Sequence, residues 1–254
     1  ERGLAISEAN LGKDKLISAA ILGNLTELYQ AQGDLKTARI HNVESLRMIK
    51  ASVAKESSDM AVVVGNLATL DAGLKDWPNA GGGMDDARRR IRRLAVNILP
   101  GLSDREILKC LEQFDSDFRQ TALSLGYIRR EEQRFVDLSA AWLINGKGLA
   151  EESLAIRQAK LQKKGLLATA PSDTDPWVEL AAVRKSIPAK SLFVDIARIK
   201  IRNFSATKKA EFWDSARYIA WVIPPADTGK VQLLDLGDAD TLDAEVKATR
   251  DAIK

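Results

Sequence analysis

The feature that most constrains this chain is a match of the sequence to itself at an offset of 42 residues. Gly23-Asn24-Leu25-Thr26-Glu27-Leu28 aligns with Gly65-Asn66-Leu67-Ala68-Thr69-Leu70. Asp34 then meets Asp76, Ala38 meets Ala80, and Leu4 meets Leu46. A unit of this length cannot bury its apolar face alone, so stacking on its neighbours supplies the core. Each copy reads as two helices joined by a short turn. In the first copy Leu22, Leu25, Leu28 and Tyr29 form a helical stripe, and Gln32-Gly33-Asp34 breaks it. Small Ala38 lets the second helix approach closely, and Val43 and Leu46 continue its apolar face. After Trp77-Pro78-Asn79-Ala80, the triplet Gly81-Gly82-Gly83 reads as a flexible break.

Composition narrows the function classes. Apolar residues make up 45% of the 254 and charged residues 29%, as in an ordinary globular chain. No stretch approaches the ~18 uninterrupted apolar residues of a membrane helix, so no membrane partner is expected. One cysteine, Cys110, allows no internal disulfide and points to a reducing compartment such as the cytoplasm. One histidine, His41, leaves no His-rich metal site, and no cofactor is implied. A net charge of +3 is too even to indicate nucleic acid. The chain begins at Glu1 and stops inside a run that reads as helix. There Asp240 and Thr241 are the N-cap candidates, and Leu242, Val246 and Ile253 share a face. It reads as a piece of a longer protein.

From Met84 to about Lys164 the periodicity is helical. Arg88, Arg89, Arg90, Arg92 and Arg93 form the most basic run and raise a phosphate-binding reading. At about 100° per residue, however, Ala87, Ile91, Leu94, Ala95 and Ile98 share one face and the arginines fan over the other. A solvated amphipathic helix is therefore expected, with Asp85 and Asp86 offsetting the charge. Leu99-Pro100-Gly101 closes it, and Ser103 with Glu106 has the spacing of a capping box. Cys110, between Leu108 and Leu111 and without a nearby histidine, reads as a small buried hydrophobe. A long helix from about Glu132 carries Leu138, Trp142, Asn145, Leu149, Glu152 and Ile156 on one stripe. Gly146 and Gly148 in its centre suggest a kink or a close backbone approach. Gly146-Lys147-Gly148 lacks the spacing of a phosphate loop.

The last eighty residues change class. Ala170 to Pro176 is linker chemistry, and Trp177 to Ile187 reads as a short helix with Val178, Ala181 and Ala182 on successive turns. Leu192 to Ile201 reads as a strand. Its apolar positions are even-numbered to Ile196 and odd-numbered from Ile199, which predicts a bulge near Ala197. Tyr218 to Ile223 is apolar on both faces, the mark of a central strand, and Pro224 to Gly229 turns into a third strand from Val231 to Leu236. An α+β or α/β module cut short is expected. An unpaired sheet edge would then invite aggregation or a partner strand.

The order Asn-Leu, Tyr29, Gly33-Asp34 and Ala38 resembles a tetratricopeptide repeat of the long, 42-residue kind, with Glu1 to Ile6 similar to the end of a preceding repeat. Asn42 stands where such repeats carry an aromatic, and Asp71 where Tyr29 stood. The resemblance implies a concave groove that binds a protein or peptide, with Asn24, Glu27 and Asn66 facing it; the alternative is that these residues only bridge adjacent helices. Trp142 to Gly148 resembles a helix that leads into the protease-like domain of certain repeat proteins, and Asp175-Pro176-Trp177-Val178, the Ile187-Pro188 stop, Val194-Asp195-Ile196, Ala216 to Val222 and Val231 to Gly237 follow in an order that resembles the opening of a CHAT domain. CHAT domains are caspase- and separase-like modules found behind such repeats. The expected fold is mainly α. Tetratricopeptide-like repeats span residues 1–80 and a helical array spans 84–168; an incomplete α/β caspase-like module follows over 175–254. The family implies cysteine proteolysis by a His–Cys dyad, but neither His41 nor Cys110 sits at a matching position. The chain is thus expected to be an interaction and regulatory segment of such a protease, unable to cleave peptides by itself. The alternatives are a non-enzymatic peptide-binding scaffold or, third, a nucleic-acid binder using the arginine run.

Overall fold

The computed structural model describes residues 15–52, 57–114, 116–162 and 175–253. Among these the chain is mainly helical with one three-stranded antiparallel sheet. They divide into two compact units, one taking in the described residues to Phe118, Asn145 to Trp177 and Phe204 to Lys209, the other Arg119 to Ile144, Val178 to Asn203 and Ala210 onward. The expected preceding repeat at Glu1 to Ile6 and the linker before Asp175 lie outside the described residues.

The first unit opens with two helical hairpins, α1 (Lys15–Ala31) with α2 (Leu35–Lys50), and α3 (Ser58–Gly73) with α4 (Trp77–Ile98). The 42-residue period holds in their backbone. The Asp34 N–H donates to the Tyr29 carbonyl at 2.9 Å, and the Asp76 N–H donates to that of Asp71 at 2.8 Å. The carboxylate of Asp34 accepts from the Thr37 N–H at 3.0 Å and that of Asp76 from the Asn79 N–H at 3.4 Å, each capping its second helix. The residue before each cap is left-handed, Gly33 at φ 82° and Lys75 at φ 62°. Burial repeats with the same offset. Ala19, Leu22 and Thr26 match Ala61, Val64 and Ala68, while Ala38, Asn42, Ser45 and Ile49 match Ala80, Met84, Ala87 and Ile91.

That repeated burial corrects the expected stripes. Leu28 and Val43 are exposed, while Thr26, Asn42 and Ser45 are inside. Two of these inner polar groups reach a carbonyl: Thr26 Oγ1 donates to the Leu22 carbonyl at 2.9 Å, and Ser45 Oγ to that of Ala19 at 3.0 Å. Small and polar residues on this face allow the two helices to approach more closely than a leucine stripe would.

Helix α4 also overturns the expected break. It runs unbroken through Gly81-Gly82-Gly83. A Cβ at Gly83 would come within 3.1 Å of the Ala68 Cβ, so this glycine lets α4 lie close against α3. A 3-10 turn at Leu99–Gly101 closes α4 as expected. The Ser103–Glu106 capping box forms as expected, with the Ser103 N–H donating to the Glu106 carboxylate at 2.8 Å and the Glu106 N–H to Ser103 Oγ at 3.4 Å. Bonds from Ser103 hold the Glu106 carboxyl below its ordinary value. Helix α5 (Asp104–Phe114) follows, then α6 (Ser116–Ile128).

The expected long helix from Glu132 is two helices, α7 (Gln133–Gly146) and α8 (Leu149–Gln162). They are separated at Lys147-Gly148, where Gly148 takes φ 68°, a conformation that ends a helix. Leu149 packs with Ala95, Leu99 and Ile107, joining α8 to α4 and α5 within the first unit.

In the second unit α6 and α7 cross closely. A Cβ at Gly126 would fall 2.3 Å from the Cβ of Ser139. The Ser139 hydroxyl donates to the Val136 carbonyl at 2.9 Å and accepts from the Trp221 indole N–H at 2.9 Å. Three strands, β1 (Phe193–Arg202), β2 (Trp213–Ile223) and β3 (Gln232–Asp238), form an antiparallel meander with β2 central, as its two-sided apolar pattern requires. No parallel crossover of the α/β kind occurs among the described residues. The bulge expected at Ala197 is absent there: Ile196, Ala197 and Arg198 pair in unbroken register with Ala220, Ile219 and Tyr218, and the irregularity falls between Lys200 and Arg202. Odd-numbered Asp195, Ile199 and Ile201 are buried, leaving Leu192, Val194 and Ile196 on the exposed face. The β1 edge is partly occupied. Gln120 Oε1 accepts from the Lys200 N–H, while Ser124 Oγ donates to the Lys200 carbonyl and accepts from the Arg202 N–H.

Two helix boundaries also move. Helix α9 is Leu180–Ser186, shorter than expected, with Val178, Ala181 and Ala182 exposed. Helix α10 (Ala239–Ala252) is capped by Asp238, which accepts from the Thr241 N–H at 3.0 Å, in place of Asp240 or Thr241.

Candidate functional site

Asn24 and Glu27 project from α1, and Asn66 projects from α3 at the position equivalent to Asn24. All three are exposed. None makes a side-chain hydrogen bond or ion pair to another described residue. At the equivalent of Glu27, Thr69 turns to its own helix and donates to the Gly65 carbonyl at 2.9 Å. The two asparagines therefore occupy repeat-related positions on the exterior. The bridging that would make them purely structural is not formed among the described residues.

Contact between the hairpins is made elsewhere. Arg39 on α2 pairs with Asp71 on α3 at 2.5 Å. Burial pushes the Asp71 carboxyl above its ordinary value, and the bond from Arg39 only partly opposes that. Tyr29, the repeat equivalent of Asp71, instead stacks on His41 with ring centroids 5.2 Å apart. The single histidine is thus part of a ring pair on the first hairpin.

The arginine run is not a solvated face. Arg88 and Arg92 are 2% and 7% exposed. Arg89 pairs with Asp85 at 2.8 Å and lies over the Trp177 ring at 4.6 Å, while Arg90 pairs with Asp86 at 3.0 Å. Arg92 bonds Glu152 at 2.7 Å and the Pro176 carbonyl at 3.3 Å, and Arg93 faces Asp175 at 3.6 Å. Periodicity identified the apolar side of α4 correctly. It had no means of showing that α8 and Asp175-Pro176-Trp177 pack over the other side. Arg89, Arg92 and Arg93 hold those segments, and phosphate binding by this run has no free array of cations to use.

Sequence reasoning also missed an apolar cleft of about 180 Å³ in the first unit. Its walls include Ala61 from α3, Ile91 and Ile98 from α4, Leu111 from α5 and Phe118. Cys110 lies in the same wall, half-buried, and burial pushes its thiol up, away from the thiolate that a nucleophile requires. On the first hairpin Ala19 and Ile49, the equivalents of Ala61 and Ile91, pack with Met60, Val63 and Val64 in one buried cluster. A signal for the difference was present. Forty-two residues beyond Met60, Val63 and Val64 stand Leu102, Arg105 and Glu106, and the last two are exposed.

In the second unit, Asp235 gathers Arg217 at 2.9 Å and the Tyr127 hydroxyl at 2.8 Å. Burial raises the Asp235 carboxyl, but these two bonds, the Gly237 N–H and the Arg217 charge together hold the group below its ordinary value. No group of three or more His, Cys, Asp or Glu side chains that could hold a metal ion occurs among the described residues. No helix among them is long and apolar enough to cross a membrane.

Comparison with known proteins adds no assignment: no family model, no curated protein and no solved structure matches the chain.

Proposed function

We propose that this chain is a protein-interaction and regulatory segment whose hairpins act as tetratricopeptide-like repeats, within a protein of the repeat–CHAT cysteine protease kind. In this reading the chain binds a peptide or protein across α1 and α3, and the reacting His–Cys pair is not among its own residues. The observation that carries it is the repeat-related placement of Asn24 and Asn66, both exposed and neither bonded through its side chain to another described residue. A side-chain amide offers two donors and two acceptor lone pairs, suited to reading an extended backbone. The surroundings of His41 and Cys110 support the second half: one is stacked on Tyr29, the other lines an apolar wall.

Selection of a displayed random-peptide library on the full chain tests the reading. Enriched peptides are expected to lose binding to Asn24→Ala and Asn66→Ala variants that keep their helical circular dichroism. Absence of enrichment, or binding indifferent to both substitutions, sinks it. A non-enzymatic scaffold uses the same surface. The two part on thiol chemistry: if an active-site-directed cysteine-protease probe labels the intact natural protein at a cysteine other than Cys110, the protease reading stands.

A further inference from the structure

The geometry points to a second interaction site. We infer that the cleft between α3, α4 and α5 receives a large apolar side chain from an amphipathic partner helix. The occupant is argued from the internal repeat. On the first hairpin, the surface built on Ala19 and Ile49 is covered by Met60, Val63 and Val64, three side chains from the first turns of a helix. The same surface recurs on the second hairpin as Ala61 and Ile91, and there it lines an open cleft. The successor helix α5 brings exposed Arg105 and Glu106 where the repeat calls for two valines, so the stacking that closes the first interface is incomplete at the second.

Size and chemistry agree with such a guest. A cavity of about 150 Å³ lined by Leu, Ile and Phe admits a benzene-sized group, so about 180 Å³ holds one large apolar side chain. The cleft opens to solvent beside Ile98, which is half-exposed and gives a helix a surface on which to lie. No charged residue is among those lining it, so a charged guest would be desolvated without compensation. The site is separate from the Asn24–Asn66 surface and does not rest on it.

Cys110, the chain's one cysteine, is a built-in reporter in the cleft wall. The test follows its alkylation by iodoacetamide in the full chain, with and without a synthetic amphipathic peptide carrying Met, Val and Val at the spacing of Met60, Val63 and Val64. At about ten times the peptide's Kd, alkylation is expected to slow about tenfold, because only about a tenth of the sites stay free. A control peptide with serine at those three positions is expected to leave the rate unchanged. Ile98→Glu, at an exposed rim position, and Ser58→Leu, at another exposed lining position, are each expected to abolish protection while circular dichroism and Tm show a folded chain. Asn66→Ala is expected to leave protection intact, which separates this site from the one proposed above. No slowing, equal slowing by the serine control, or protection that survives both cleft variants overturns the inference. So does protection by indole when the peptide gives none, since that would assign the cleft to a small apolar molecule.

Discussion

The two hairpins share a backbone plan and differ in what covers them. Turn, cap and burial pattern recur at 42 residues, yet Gly23 has nothing within 4 Å of where a Cβ would stand, whereas one at Gly65 would meet the Phe118 ring at 2.2 Å. Ile49 is sealed by the next hairpin, and Ile91 borders a cleft. The difference teaches that a repeat specifies the conformation of its unit, while the worth of each position depends on its neighbour in the stack.

Four predictions break or sharpen that comparison, from the largest expected effect down. Gly65→Ala should destabilise the chain by about 1–3 kcal/mol, because the Phe118 ring must leave its seat; urea unfolding reads this, and an unchanged midpoint would show that Phe118 does not pack there. Next come the left-handed turn positions. Gly33→Ala should cost about 1–2 kcal/mol, and Lys75→Gly should stabilise by about 1 kcal/mol, since a side chain at positive φ is strained. Opposite signs at equivalent positions are the test. Smaller again, Gly23→Ala should stabilise by roughly 0.5–1 kcal/mol, the ordinary helix preference for alanine in open space.

The smallest effect concerns Asp71, whose raised carboxyl means that the folded state holds the proton more tightly than the unfolded chain does. Its contribution therefore favours folding below the unfolded value of about 3.9, and is lost as pH rises through the higher folded value. Asp71→Asn removes this dependence, so the variant should gain on the parent as pH rises through the carboxylate range. The capping carboxylates Asp34 and Asp238, lowered by bonds from Thr37 and Thr241, act in the opposite sense: their contribution is present above the unfolded value and lost as pH falls. Tm measured against pH for parent and variant separates the two.

Legibility followed the range of the interaction. The break at Gln32-Gly33-Asp34, the Ser103 capping box and the Leu99-Pro100-Gly101 stop were readable because a break, cap or stop is decided within four residues. The central position of β2 was readable from its two-sided apolar run. The glycine triplet was misread because three glycines look the same in a loop and in a close helix crossing; only Ala68 opposite Gly83 distinguishes them. At β1 the shift of apolar phase suggested a bulge, whereas the strand keeps its register and exposes Val194 and Ile196. Of the candidate site, the positions of Asn24, Glu27 and Asn66 on helices were legible. The cleft was not, since its walls come from segments as far apart as Ala61 and Phe118.

By itself, then, the sequence determined the helical hairpins, their 42-residue period, the turn into each second helix and the three strands, because hydrogen bonds and side-chain periodicity within a few residues decide these. Tertiary structure alone decided that the arginine side of α4 is covered too, with Arg92 tied to Glu152 and the Pro176 carbonyl and Arg93 to Asp175. It also decided that the second hairpin keeps an open apolar cleft. Both outcomes depend on segments distant in sequence, and burial, unlike helix formation, is a property of the pair that meets.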